Sequence, residues 1–173
     1  MSLYAFSIPT YQQILGGMIV VLDKTIAYAA AKKLDHAVVL NDRLALDMFN
    51  FARQIQTFTD HAAGSCLRCA GKEATLLPRD ETTLEGLRDR VAHALSVVNS
   101  VSAADVDAHA TTDITFPIGP RKGTMKGKEY MMNFALPNFY FHVITAYDIL
   151  RHRGVEIGKW DYLGVVPDMR RDA

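Results

Sequence analysis

The sequence predicts an all-α protein, a four-helix bundle with a small β-hairpin between the third and fourth helices. Four long segments repeat apolar residues at helical spacing, start and stop signals separate them, and only residues 102–127 lose the helical pattern. At 173 residues and 49 % hydrophobic, the chain can bury one core, so a single domain over 1–166 is expected, followed by a frayed tail, 167–173.

The first helix is expected to start at Ser7-Ile8-Pro9, with a capping hydroxyl and a proline whose missing N–H costs nothing in the first turn. It runs to Lys32 or Lys33 with Tyr11, Leu15, Met18, Leu22, Thr25 and Ala29 on one face. Gly16 and Gly17 each cost roughly 1 kcal/mol in a helix, which suggests close approach of a neighbouring helix. Residues 34–43 read as a connection.

The second helix is expected over 45–70, from the repeat Leu44, Met48, Phe51, Ile55, Phe58, Ala62, with Gly71 as its left-handed stop. Beside that repeat runs a polar stripe, Asp47, Gln54 and His61, at the edge of the core. Asp47 and Gln54 are the two read as facing the interior, and His61 as a boundary residue.

Pro78 lies in the loop that follows. Thr82-Thr83-Leu84-Glu85 has the form of a capping box and opens the third helix, which buries Leu84, Leu87, Val91, Leu95 and Val98 up to about Val101. Arg88, Asp89 and Arg90 read as its wet side. Alternation in 113–118 and 123–126 around Gly119-Pro120 predicts the hairpin.

The fourth helix, 129–153, ends at Gly154 with Arg151, His152 and Arg153 in the last turn, where positive charge meets the negative end of the helix dipole. Pro137 inside it must free the carbonyl of Asn133, so a kink or break is expected there. Beyond it, Asn138, His142 and Thr145 form a polar stripe on an apolar helix. Trp160 and Tyr162 should pin the following segment onto the bundle.

Lysine plus arginine number 19 and aspartate plus glutamate 19, so net charge gives no case for nucleic acid or an anionic membrane. The N-terminus lacks the pattern of a signal peptide, and the apolar run from Ile14 to Leu22 is too short to span a bilayer, so a cytoplasmic protein is expected. Cys66-Leu-Arg-Cys69 has redox spacing, but it sits at the C-terminal end of a helix, where the dipole raises a thiol pKa. Met125, Met131 and Met132 read as core filler.

The C-terminal stretch PNFYFHVITAYDILRHRGVEIGKWDYLG, with DMFNFARQIQ and KGTMKGKEY upstream, resembles a bacterial family of unknown function in the DinB/YfiT-like four-helix-bundle superfamily of metalloenzymes. The resemblance covers nearly the whole chain. It implies a DinB-like bundle, often dimeric, in which one histidine from the second helix and a His-x-x-x-His pair from the fourth hold nickel or zinc; some members transfer thiols. His142 matches the second histidine of the pair, and Asn138 stands at the first. The helix-two position is open among Asp47, Gln54, Asp60 and His61.

Two functions follow as expectations. The first is a DinB-like enzyme of the thiol transferase or hydrolase class, with a divalent nickel, zinc or iron ion held by His142, Asn138, Gln54 and Asp47, and His142 as catalytic group. The second is a non-catalytic homodimer that binds a small molecule or a protein. For His142 itself, a buried hydrogen bond to a polar partner on the second helix is preferred over metal ligation or proton transfer. Asn138 is read as satisfying backbone groups freed by Pro137 in preference to ligation.

Overall fold

The computed structural model describes residues 2–170. The chain folds as α1 (Leu3–Lys32), α2 (His36–Leu40), α3 (Phe51–Cys69), α4 (Leu84–Asn99), α5 (Ala103–Ala108), β1 (Asp113–Ile118), β2 (Arg121–Lys126), α6 (Gly127–Tyr130), a π-helical turn (Met131–Ala135), α7 (Leu136–Arg153) and α8 (Lys159–Leu163). The long helices α1, α3, α4 and α7 form the bundle, with α1 packed along α4 and α3 lying between α4 and α7. Tyr11, Phe58 and Phe139 meet edge to face at its centre, joining α1, α3 and α7. The two strands pair antiparallel, Asp113 opposite Lys126 and Ile118 opposite Arg121, around Gly119-Pro120 as the sequence suggests.

The first helix begins earlier than its proline implied. Ser2 caps it, accepting from Ala5 N at 3.0 Å while its own hydroxyl donates to Asp107, and Pro9 sits inside the helix. Ser7 donates back to Leu3 O, so its hydroxyl is a helix-interior group and not a cap. By length and apolar composition α1 could cross a membrane, yet Leu15, Met18, Val21 and Leu22 are wholly buried against the bundle. The connection 34–43 contains the short helix α2, capped by Asp35.

Only one of the two adjacent glycines is a contact. A Cβ on Gly17 would collide with the backbone carbonyl of Tyr162 in α8, whereas one on Gly16 would meet nothing within 4 Å. The neighbour that approaches is therefore the short C-terminal helix. Gly17→Ala is expected to destabilise the protein by about 1–3 kcal/mol and to change the emission of Trp160, the single tryptophan, as α8 is pushed off. Gly16→Ala should instead stabilise by up to about 1 kcal/mol. Melts followed by tryptophan fluorescence check both, and equal effects at the two positions would discard the packing argument.

The start of α3 is also displaced. Asn50 caps it, accepting from Arg53 N at 3.0 Å, so Leu44, Asp47 and Met48 lie in the loop before the helix and not on it. The apolar pattern had run through a turn-rich segment that belongs to no helix. Its end follows the sequence, with Gly71 at φ +68° after Ala70.

The cap of α4 slips by one residue. Thr83, not Thr82, accepts from Gly86 N at 3.0 Å, which leaves Glu85 one position short of closing a capping box. Glu85 lies instead 3.4 Å from His36 of α2.

Helical structure is continuous from α6 through α7, and Pro137 neither breaks it nor leaves a regular α-turn. The chain widens over Met131–Ala135, where Leu136 N donates to the carbonyl of Met131, five residues back. Shifting the pairing by one residue just ahead of the proline accommodates its missing N–H and its ring. Asn138 Nδ2 then donates to the Phe134 carbonyl at 2.7 Å. At the far end Gly154 takes φ +94°, and the basic last turn includes Arg153, which is ion-paired with Asp42. Pro167–Arg170 form no helix or strand, and the last three positions of the expected tail, 171–173, lie outside the described residues.

Candidate functional site

The candidate site lies where α3 faces α7. Gln54 is on the first turn of α3, one residue past the N–H that Asn50 caps, and is buried. Its Oε1 lies 2.6 Å from His142 Nδ1, while its Nε2 donates to the Phe49 carbonyl at 3.2 Å. With the amide oriented that way, His142 carries its proton on Nδ1 and leaves Nε2 as an acceptor. Two turns further along α3, His61 stacks on His142 with ring centroids 5.9 Å apart and planes 13° apart. Phe49 covers the neighbourhood of His142 on another side, with centroids 6.1 Å apart, and Phe134 of the π-turn packs against His61.

Both imidazoles are held neutral. Burial, followed by the charge of Arg53, lowers His142 to about 4. Burial lowers His61 to about 4 as well, with His142, Arg68 and Arg79 pushing in the same direction. Neutral rings at physiological pH can accept hydrogen bonds or ligate a cation, but such weak bases are poorly matched to removing a proton near neutrality.

His61 also lines a cavity of about 430 Å³ between α3, the loop carrying Arg79, the hairpin and the π-turn. Its apolar wall includes Phe116 and Phe134, whose ring centroids are 4.5 Å apart, so aromatic packing fastens β1 to the π-turn there. Arg53, Arg68 and Arg79 line the same space, with Asp60.

Behind Asp60 stands a buried ion network centred on Arg90, a residue the sequence reading placed on the wet side of its helix. Arg90 is 3 % exposed. Its Nη2 donates to Asp60 Oδ1 and its Nη1 to Glu81 Oε1, each at 2.6 Å, and its Nε donates to Thr59 Oγ1 at 2.9 Å. Arg79 takes the other Asp60 oxygen and Gln56 the other Glu81 oxygen. Burial pushes the Glu81 carboxyl up, but the hydrogen bonds from Arg90 and Gln56 outweigh it and hold the group below its ordinary value. The signal was present in the spacing Leu87, Arg90, Val91, Ala94, which puts Arg90 on the apolar face of α4. Arg88 and Asp89 do lie on the outside, Arg88 paired with Asp23 at 2.5 Å.

Of the residues singled out from the sequence, the fold brings His142 and Gln54 into contact and sets Asn138 one turn before His142 on α7. Asp47 is exposed on the loop before α3 and joins none of them by a hydrogen bond or ion pair among the described residues. His61, read as a boundary residue, is the ring that meets His142. Two imidazoles with amides already committed to other partners do not fit a three-histidine nickel or zinc centre. Among the described residues, no group of three or more histidine, cysteine, aspartate or glutamate side chains is placed to hold an ion. Cys66 and Cys69 are buried free thiols; burial, then Cys69, raises Cys66 far above its usual value, and burial pushes Cys69 up to about 12. These are the properties of inert core thiols, the opposite of a redox pair.

A bundle of α1, α3, α4 and α7 with a hairpin ahead of α6 and α7 defines a DinB-like protein. The same fold is found in the crystal structure of a DinB family member protein from Shewanella denitrificans, which is 40 % identical, superposes with a TM-score of 0.87, and is matched over 98 % of this chain and 96 % of its own. Residues 3–163 match the model of a domain of unknown function, DUF1993, and the chain belongs to that family. No curated protein matches it significantly.

Proposed function

We propose that the protein binds a small molecule in the cavity between α3 and the hairpin, with His61, backed by His142, as part of its polar wall. The observation that carries this reading is that His61 lines the cavity on its own account and stacks on His142, which Gln54 fixes in turn. A space of about 430 Å³, mixed aromatic and polar in its walls, has the size and character of a metabolite site. The low basicity of both rings favours recognition through neutral nitrogens over acid–base catalysis.

A second reading, a divalent-metal-dependent thiol transferase or hydrolase, has one observation in its favour: two neutral imidazoles from α3 and α7 lie side by side. Its difficulty is the remainder of the donor set, in which Asn138 stands at the position of a superfamily histidine.

The deciding experiment uses tag-free protein with labelled histidine and phenylalanine. A fragment library that shifts the His61 and Phe134 resonances, with the Phe134 shift lost in His61→Phe, supports the binding reading. Calorimetric uptake of one zinc or nickel ion per chain, abolished in both His61→Ala and His142→Ala, would replace it with the metal-dependent one.

A further inference from the structure

The cavity beside His61 has an uneven charge. Arg53, Arg68 and Arg79 line it, and Asp60 is the single carboxylate among its lining residues. That carboxylate is already saturated. One oxygen receives Arg90 and the other receives Nε and Nη2 of Arg79, at 2.9 and 2.5 Å. Neither Arg53 nor Arg68 has an ion-pair partner among the described residues. Arg53 stands over the Phe49 ring at 5.4 Å, and Arg68 lies against the buried Tyr130 hydroxyl. Both are partly buried.

Guanidinium groups crowded without counter-charge are unfavourable unless something anionic joins them. Arg53 is already held below its ordinary value, first by burial and then by Arg79. The planar fork of arginine matches carboxylate and phosphate oxygens with two parallel hydrogen bonds, which a lysine would not provide. Beyond the arginines, Phe134, with the buried Phe116 packed behind it, offers an aromatic surface. Such a site is complementary to an oxyanion attached to an apolar or flat body.

We propose that this cavity takes a small organic oxyanion, a phosphomonoester or a carboxylate, with Arg53 and Arg68 holding the charged end and Phe134, backed by Phe116, receiving the body. The proposal rests on the reading that the cavity is the ligand site, and it adds the ligand's chemical class. Arg79 is shared between Asp60 and the cavity, so it tunes the charge without being free to chelate alone.

Calorimetry at low ionic strength with phenyl phosphate, benzoate, inorganic phosphate and benzyl alcohol tests it. Phenyl phosphate or benzoate is expected to bind one per chain, more tightly than inorganic phosphate and far more tightly than benzyl alcohol. Arg53→Gln and Arg68→Gln should each weaken that binding roughly tenfold to a hundredfold, in line with loss of a charge-assisted pair. Which of the two aryl anions binds better assigns phosphate or carboxylate. Arg53→Lys, retaining the charge, should recover part of the affinity, and unchanged thermal melts establish that the variants are folded. If benzyl alcohol binds as well as the anions and the arginine variants do not matter, the anion site is overturned while the cavity reading stands. If no probe binds folded wild-type protein, both fall together.

Discussion

Arg90→Leu lowers the stability of the protein by about 3–5 kcal/mol, the largest effect expected of any single side chain outside the apolar core. The guanidinium is nearly sealed from solvent and answers both Asp60 and Glu81, whose side chains are each 10 % exposed. Deleting it leaves two carboxylates in a poorly hydrated site with one partner each, Arg79 for Asp60 and Gln56 for Glu81. The loss of burial is small by comparison, since leucine fills much of the space. For a chain of this length that change lowers Tm by about 10 °C. Arg88→Leu, two residues earlier on α4, breaks a pair with Asp23 in which both partners are well exposed, and should cost far less. Urea denaturation of the two variants beside wild type provides the comparison. Equal midpoints for the two variants would show that the network contributes no more than a surface pair. The network also joins α3 to the loop before α4, through Arg79, Glu81 and the Pro78 carbonyl, so Arg90→Leu should loosen one wall of the cavity as well.

Acidification from about pH 7 to about pH 5 should destabilise the protein through His61 and His142, before any carboxylate titrates appreciably. Both rings have folded-state values lowered from 6.5 to about 4. In the unfolded chain they take up protons near 6.5, whereas the folded state resists until about 4, so the unfolded state binds more protons across that window and gains on the folded one as pH falls. Each full shift corresponds to about 3 kcal/mol, an upper figure for two neighbouring rings that influence each other. Below about 4 the folded protein also protonates and the dependence from this pair levels off. Depressed carboxylates such as Glu81 lose their contribution at the acid end of the range. The double variant His61→Phe, His142→Gln should show a much flatter profile of urea midpoint against pH. A profile as steep as that of wild type would place the acid sensitivity elsewhere.

Much of the fold was legible in the sequence because it is local. The start of the hairpin, the stop at Gly71, the left-handed cap at Gly154 and the apolar faces of α1 and α4 follow from spacing and from residues with restricted backbone preferences, whereas α7 is turned so that Phe141 and Ile144 face solvent and Phe139, Val143 and Leu150 face the core. The errors also have local causes. Pro9 and Ser7 look like a helix start only if the equally competent Ser2 is ignored, and the contact that secures Ser2 comes from Asp107, far along the chain. Thr82 and Thr83 compete for one cap, and the choice between them decides whether Glu85 closes a box or turns to His36.

The sequence by itself determined the class of fold, the placement of a polar stripe on the last long helix, and His142 as the residue to watch. These depend on periodicity within single helices. Tertiary structure alone decided that His61 meets His142, that Asp47 lies out on a loop, and that Arg90 is an interior charge. Each depends on the rotation of one helix against another, or on where a helix starts. A shift of one residue turns a side chain by about 100°, enough to exchange solvent for core.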